Sequence, residues 1–358
     1  MKVSSIRSDK SGQPLKKQLS LGVEFDQKII SAALIDDQAN VMVIRQSETP
    51  QRTIRSAVTA MAKMIIDLAA SKEREAGSIV AIGVAAPGLV DPSTGRVSVT
   101  EMRGWARVPL AQLLEENLDA SGHDIRTHKS DSQARAHHVE SAHPLITVNS
   151  RAAAFAAAES WVGAARGKKN VVYLSIDSEI EAGILTDGRV LTGFGGMAGA
   201  AGWLAITEEF KSEYQSAGCL SAEAAMNAIT RRAIDEWGGH GNSMLSGLIK
   251  SHSSQLDAAT IIRTARGGDK LAVRVIDETC RWLGRGAANL ISILNPEAIV
   301  FGGEIGLALK KSLDEIRAEA LRWTMPEAGK RCRFVCATVG KDASKIGAGR
   351  LAWLQTGR

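Results

Sequence analysis

Leu21-Gly22-Val23-Glu24-Phe25 begins the ordered pattern of this 358-residue chain. Its apolar and small residues alternate, which reads as a β-strand. Ile29-Ile30-Ser31-Ala32-Ala33-Leu34-Ile35 is a second strand, ended by Asp36-Asp37, and Val41-Met42-Val43-Ile44 is a third. Strands so closely spaced form an antiparallel meander. A helix is expected over about 52–70, where Ile54, Val58, Met61 and Ile65 recur at helical spacing. A buried strand over 79–84 follows and stops at Ala85-Ala86-Pro87-Gly88. The same order returns from Val171-Val172-Tyr173-Leu174-Ser175-Ile176, through Ala182-Gly183-Ile184-Leu185 and the Asp187-Gly188 turn, to Arg189-Val190-Leu191. Helices are then expected near 221–236, 257–266 and 271–293. A strand over 298–301 leads into Gly302-Gly303, followed by a helix over 307–322, a strand over 334–338 and a last helix over 343–354. The repeat predicts two α/β halves with a cleft between them, a favoured place for a ligand.

Composition narrows the classes. Apolar residues make up 44% and charged residues 23%, the balance of a globular protein. Four cysteines in a chain of this length do not make a disulfide scaffold, so a reduced, cytoplasmic setting is expected. The net charge is +5, but residues 1–20 alone carry +4, so the body is close to neutral. A body-wide nucleic-acid footprint is therefore not expected. Residues 1–19 read as a basic tail without periodicity. No apolar run follows the basic start, and no long uncharged window predicts a membrane span. The stretch 119–143 reads as a polar insertion holding His123, His128, His137, His138 and His143. Its loose spacing, with no cysteine beside it, does not predict a metal.

Several motifs in order carry a family resemblance. They are Ala86-Pro87-Gly88-Leu89-Val90-Asp91, Gly104-Trp105 before Val108-Pro109-Leu110, and Asn149 before Ala152-Ala153 and Glu159. Further on come Asn295-Pro296-Glu297 with Gly302-Gly303, and Gly340-x-Asp342-Ala343 before Ile346-Gly347-Ala348. Together they resemble the ROK family (repressors, open reading frames and sugar kinases) from about residue 21 to 352. The resemblance implies two actin-like, ribonuclease H-like domains, over 20–148 and 149–342, with the segment 343–358 returning to the first. It also implies a homodimer, a carbohydrate ligand near Pro87, Gly88, Glu101, Asn149, Ser150, Ala200 and Trp203, and ATP with Mg²⁺ on two phosphate turns beside Gly302 and Gly303.

Set against the family pattern, the chemistry is depleted. The family's Asn-Asp pair reads Asn149-Ser150, and a serine hydroxyl does not replace a carboxylate base worth about 10²–10⁴-fold. The first phosphate turn has Asp26-Gln27-Lys28 after Glu24-Phe25 where glycines are expected. The second reads Asp177-Ser178-Glu179-Ile180-Glu181-Ala182-Gly183 and keeps only its last glycine. One like-charge pair costs about 1–4 kcal/mol between water and an effective dielectric of ~20. The family's sugar-pairing Glu is Ala200, its sugar- and zinc-linked His is Trp203, and its Asn ahead of Gly-Trp is Glu101. Of the zinc-binding cysteine run only Cys219 remains, with Ser221 where Glu is usual. No zinc and no nucleotide cofactor are therefore expected. The sequence favours a ROK-fold protein without kinase activity, acting as a ligand sensor, regulator or scaffold. A divergent glucokinase-like enzyme is the alternative and would need Glu101, Asp177 or Glu179 as base. A transcriptional regulator is the second alternative. Fewer than 20 residues precede the first strand, so a recognition helix and direct DNA binding are not expected.

Overall fold

The structure, a computed structural model, describes residues 17–71, 77–123, 125, 143–239, 241–252 and 256–357. It separates into two compact units, residues 1–158 with 341–358, and 159–340. Among the described residues, no helix is long and apolar enough to cross a membrane.

The first unit holds β1 (Lys17–Phe25), β2 (Ile29–Asp36), β3 (Val41–Glu48), β4 (Gly77–Ala86) and β8 (Leu145–Ser150) in one sheet of order β3-β2-β1-β4-β8. The pairs β1·β2 and β2·β3 are antiparallel, and β1·β4 and β4·β8 are parallel. The small strands β5 (Leu89–Asp91), β6 (Arg96–Ser98) and β7 (Val108–Pro109) make a separate sheet. Helix Ile54–Ala69 starts at a capping box between Thr53 and Ser56 and buries Val58, Met61, Ile65 and Leu68.

The second unit repeats the pattern. Its sheet is β11-β10-β9-β12-β13, from β9 (Val171–Ile176), β10 (Ile180–Thr186), β11 (Arg189–Val190), β12 (Ala298–Gly302) and β13 (Arg333–Cys336). Again the first three strands are antiparallel and the last two pairs parallel. The long helix Lys270–Leu294 is capped by Asp269 and ends where Asn295 turns left-handed at φ 44°.

Four expectations need correction. Lys17–Leu19, assigned to the tail, lie in β1, because Leu19 is fully buried and Lys17 pairs with Gly77. Residues 149–158, assigned to the second half, group with the first unit, where Asn149 pairs with Ala85 across the sheet. The helix over 221–236 is broken at Ala225 (ψ 174°), which frees the Met226 N–H to bond the Asp177 carbonyl at 2.9 Å. The helix over 307–322 is three short pieces, Gly303–Ala308, Leu309–Ser312 and Leu313–Trp323. The tail's first sixteen residues and most of the His-rich insertion lie outside the described residues; at its rim, buried His143 has Nε2 3.6 Å from the Asp119 carboxylate.

Helix Ala343–Gln355 belongs to the first unit and packs backbone to backbone. A Cβ on Gly83 would run into the Ala348 carbonyl, one on Gly22 into the Lys345 carbonyl, and one on Gly347 into the Ala154 carbonyl. Backbone cannot yield as a side chain does. Gly83→Ala is expected to cost about 1–3 kcal/mol, read as a lower urea midpoint at unchanged slope. An unchanged midpoint would mean the helix is not docked here.

Candidate functional site

The residues singled out from the sequence fall into two groups, one on each unit. On the first unit, the β1–β2 turn is closed by its own carboxylate. Asp26 Oδ1 accepts the N–H groups of Lys28 (2.6 Å) and Ile29 (2.8 Å). The Asp26 N–H donates to the Ile29 carbonyl at 2.9 Å, and the Thr49 hydroxyl donates to the Asp26 carbonyl at 2.9 Å. Short polar side chains favour such turns because they bond the backbone two residues on. Gln27 leaves the turn and donates its carboxamide to the Glu101 carbonyl, while Gln51 donates to the Gln27 carbonyl. The ring of Phe25 lies 5.0 Å from that of Trp105. Thus Glu101 and the degenerate turn are strapped together, and the lysine of the turn, Lys28, stays exposed.

Behind the turn, Glu24 is engaged. Its Oε1 receives Lys345 Nζ at 2.5 Å, and its Oε2 receives the Ser344 hydroxyl. Lys345 Nζ also lies 3.2 Å from Asp342 Oδ1, with its side chain only 4% exposed. Sequence reading passed over Lys345; the signal was a charged residue one helical turn after Asp342 in an otherwise small, apolar run.

Pro87 is buried at the end of β4, and Gly88 follows at φ +70°, where a Cβ would meet the Ser98 carbonyl. Asn149 and Ser150 end β8, in register with Ala85 and Ala86. Asn149 is buried, and its Nδ2 has no hydrogen-bond partner among the described residues. Ser150 Oγ accepts the Ala153 N–H at 3.2 Å, so it caps the helix Arg151–Trp161. A hydroxyl that caps a helix orients the chain but accepts no proton at neutral pH. Ser150→Ala is expected to cost about 1 kcal/mol through the lost cap, measured by thermal unfolding, with no accompanying loss of ligand affinity; a larger affinity loss would give Ser150 a ligand role.

On the second unit, the carboxylate of the β9–β10 turn reaches the helix Gly303–Ala308 instead. Asp177 Oδ1 accepts the Glu304 N–H at 2.6 Å and its Oδ2 accepts the Ser175 hydroxyl at 3.1 Å. A Cβ on Gly303 (φ +76°) would meet Asp177 Oδ2, and one on Gly302 would meet the Tyr173 hydroxyl. The glycine pair expected on the adenosine side therefore approaches the chain's own carboxylate and phenol. Burial, with Glu159 and Asp177 nearby, raises the Tyr173 phenol above its ordinary pKa, so it stays neutral. Ser178 and Glu179 are exposed at the tip. A cavity of about 420 Å³ that the sequence did not suggest lies beside this turn, lined by Met226, Thr230, Arg231, Ile234 and Leu256 among others.

Ala200 is exposed, and Trp203 is 56% exposed on the short turn Ala201–Trp203. Cys219 Sγ accepts the Ile206 N–H at 3.5 Å. One thiol committed to a backbone amide, with an indole in the histidine position, does not fit a tetrahedral zinc. The first phosphate turn likewise does not fit a triphosphate as it stands, because its Lys28 and Ile29 N–H groups are bonded to the Asp26 carboxylate.

Two five-stranded sheets of one strand order, each bearing a hairpin turn beside the candidate residues, define the actin-like α/β class. The chain belongs to the ROK family, whose profile matches residues 20–130 and 140–355. It is 30% identical over 278 residues to a glucokinase of Halalkalibacterium halodurans, covering 77% of this chain and 76% of that one. It is 27% identical over 308 residues to the DNA-binding transcriptional dual regulator NagC of Escherichia coli, covering 84% of this chain and 66% of that one. Among solved structures, it is similar to a ROK hexokinase from Thermus thermophilus, with TM-score 0.73 and 23% identity over 95% of this chain and 99% of that one. It is equally similar to a ROK transcriptional regulator described as a homologue of E. coli MLC, with TM-score 0.74 and 22% identity over 94% and 78%. Enzymes and regulators thus share this fold, and the fold alone does not choose between them.

Proposed function

We propose that this chain binds a carbohydrate through residues of its first unit and acts as a sensor or regulatory subunit without transferring phosphate. One observation carries the reading. Backbone N–H groups at the candidate phosphate positions, Lys28 and Ile29 on the first turn and Glu304 beside the second, are taken by the chain's own carboxylates, Asp26 and Asp177. A phosphate would have to displace a bonded carboxylate and stand beside its charge. Ser150 at the base position adds no carboxylate. The orphaned Nδ2 of Asn149 supports a hydroxyl-bearing ligand, because a buried donor without an acceptor costs about 1–3 kcal/mol and an incoming hydroxyl relieves it.

A panel of hexoses and N-acetylhexosamines in a thermal-shift series tests the binding half. At 100 times its dissociation constant, a ligand adds about 2.7 kcal/mol of apparent stability. Asn149→Leu should remove the shift while leaving the unliganded transition in place. The 30%-identical glucokinase favours one competing reading, a divergent kinase. ADP release from Mg-ATP that depends on a sugar, and that is lost in Glu101→Gln, would put the kinase ahead.

A further inference from the structure

The segment 207–218 of the second unit has little backbone support. Among the described residues it contains no strand, only the four-residue helix Tyr214–Ala217. The cysteine run that would tie it down with zinc is reduced to Cys219. Three donors converge instead on the carboxylate of Glu223, whose side chain is 6% exposed. Its Oε1 receives Lys211 Nζ at 2.5 Å and the Tyr214 hydroxyl at 2.5 Å. Its Oε2 lies 3.3 Å from Arg232 Nη2, which also bonds the Glu223 carbonyl at 2.5 Å. Arg232 is fixed in turn by Thr279 Oγ1 at 2.9 Å, on the long helix Lys270–Leu294. Arg231 joins Glu213 (2.9 Å) to the Ala222 carbonyl (2.6 Å).

We infer that the Glu223 carboxylate is the anchor of the segment 207–218, holding it by charge-assisted hydrogen bonds where the family pattern uses a metal. The chemistry suits the task. A carboxylate offers about four lone-pair directions, and bonds to charged partners are roughly twice as strong as neutral ones. Lys211 and Tyr214 come from the segment, Arg232 from the helix after it, and Glu223 from the buried helix Cys219–Ala224. Three pieces of chain thus meet on one side chain, the topological role of a structural metal. The anchor also bears on the candidate ligand residue Trp203. Gly218, at the end of the segment, packs against the Gly202 carbonyl and the Trp203 Cα. Ser221, two residues from Glu223, accepts the Ile180 N–H at 2.9 Å. Glu223 is therefore a positioning residue for the turn that presents Trp203.

Hydrogen exchange by mass spectrometry on the full chain tests this, comparing wild type with Glu223→Gln, Lys211→Met and Tyr214→Phe. Peptides from 207–218 should exchange roughly tenfold faster in Glu223→Gln, the factor set by losing bonds to a charged partner. Lys211→Met and Tyr214→Phe should each accelerate the same peptides by a smaller factor. Peptides from β9 and β12 should not change, and EDTA should leave the wild-type pattern untouched. If Glu223→Gln also loosens β9, it has unfolded the unit, and the two peripheral variants decide alone. Unchanged exchange in those two would overturn the inference. So would stoichiometric zinc whose removal by EDTA loosens 207–218 in the wild type.

Discussion

In calorimetry with Mg-ATP at up to about 1 mM, the wild-type chain should give no binding heat, and the Asp26→Gly/Asp177→Gly variant should give a measurable isotherm. Asp26 holds two amides and Asp177 a third. Glycine in both places frees all three and removes two negative charges. Each freed amide can make a charge-assisted bond to phosphate, worth about 1.5–3 kcal/mol. Two such bonds span the distance from undetectable binding to a dissociation constant near 1 mM, about −4.1 kcal/mol. Glu179 remains on the second turn and Glu181 in the strand after it, so affinity should not rise far beyond that. Asn at both positions separates the two causes. It keeps an oxygen able to bond the amides and removes only the charge, so recovery in the Asn pair would assign the block to electrostatics. Recovery only in the Gly pair would assign it to occupied N–H groups. A wild-type dissociation constant below about 100 μM, near −5.5 kcal/mol, would sink the proposal that these carboxylates exclude phosphate.

The fold was legible because it is written twice. The meander from Leu21 and its echo from Val171 were each readable as three strands, with one later strand in the first half and two in the second; β8 at Leu145–Ser150 was not read as a strand. β9 matches the sequence reading residue for residue at Val171–Ile176. Short elements were not legible. β5, β6 and β7 have two or three residues each and carry no period to read. The break at Ala225 was hidden because alanine is the best helix former; what ends the helix is a distant acceptor, the Asp177 carbonyl, on another element. At the candidate site, the sequence placed carboxylates on both turns. It could not show that they fold back onto the backbone instead of projecting outward. That depends on the path of the turn and, for Asp177, on Glu304 more than a hundred residues away. Lys345 and Glu223 escaped for the same reason. A charged residue in an apolar helix is recognisable in sequence, but its partner is not.

Lys345→Met is the second variant expected to have a large effect, and it should lower the unfolding transition of the first unit by roughly 6–12 °C, the shift that about 3 kcal/mol produces in a unit of this size. The ammonium is almost wholly buried between Glu24 Oε1 and Asp342 Oδ1, at 2.5 and 3.2 Å. Removing one member of a buried pair leaves its partner charged and unpaired, which costs about 3–5 kcal/mol, whereas replacing both members is often close to neutral. Glu24→Gln with Lys345→Met should therefore recover much of the loss, and the cycle should show coupling of about 0.5–3 kcal/mol. Glu24 and Asp342 are roughly one-quarter exposed, so water softens the penalty and the lower end of the range applies. The geometry also ties this pair to the candidate site. Glu24 stands two residues before Asp26, and Ser344 holds its second oxygen. With Lys345 removed, the Glu24 carboxylate loses its internal cation but not its position. Charge would then accumulate beside the closed turn, and Mg-ATP binding should not appear in Lys345→Met alone. A single-variant change under about 1 kcal/mol, the scale of exposed pairs, would show that the ammonium is solvated and that the docked helix Ala343–Gln355 rests on its glycine contacts instead.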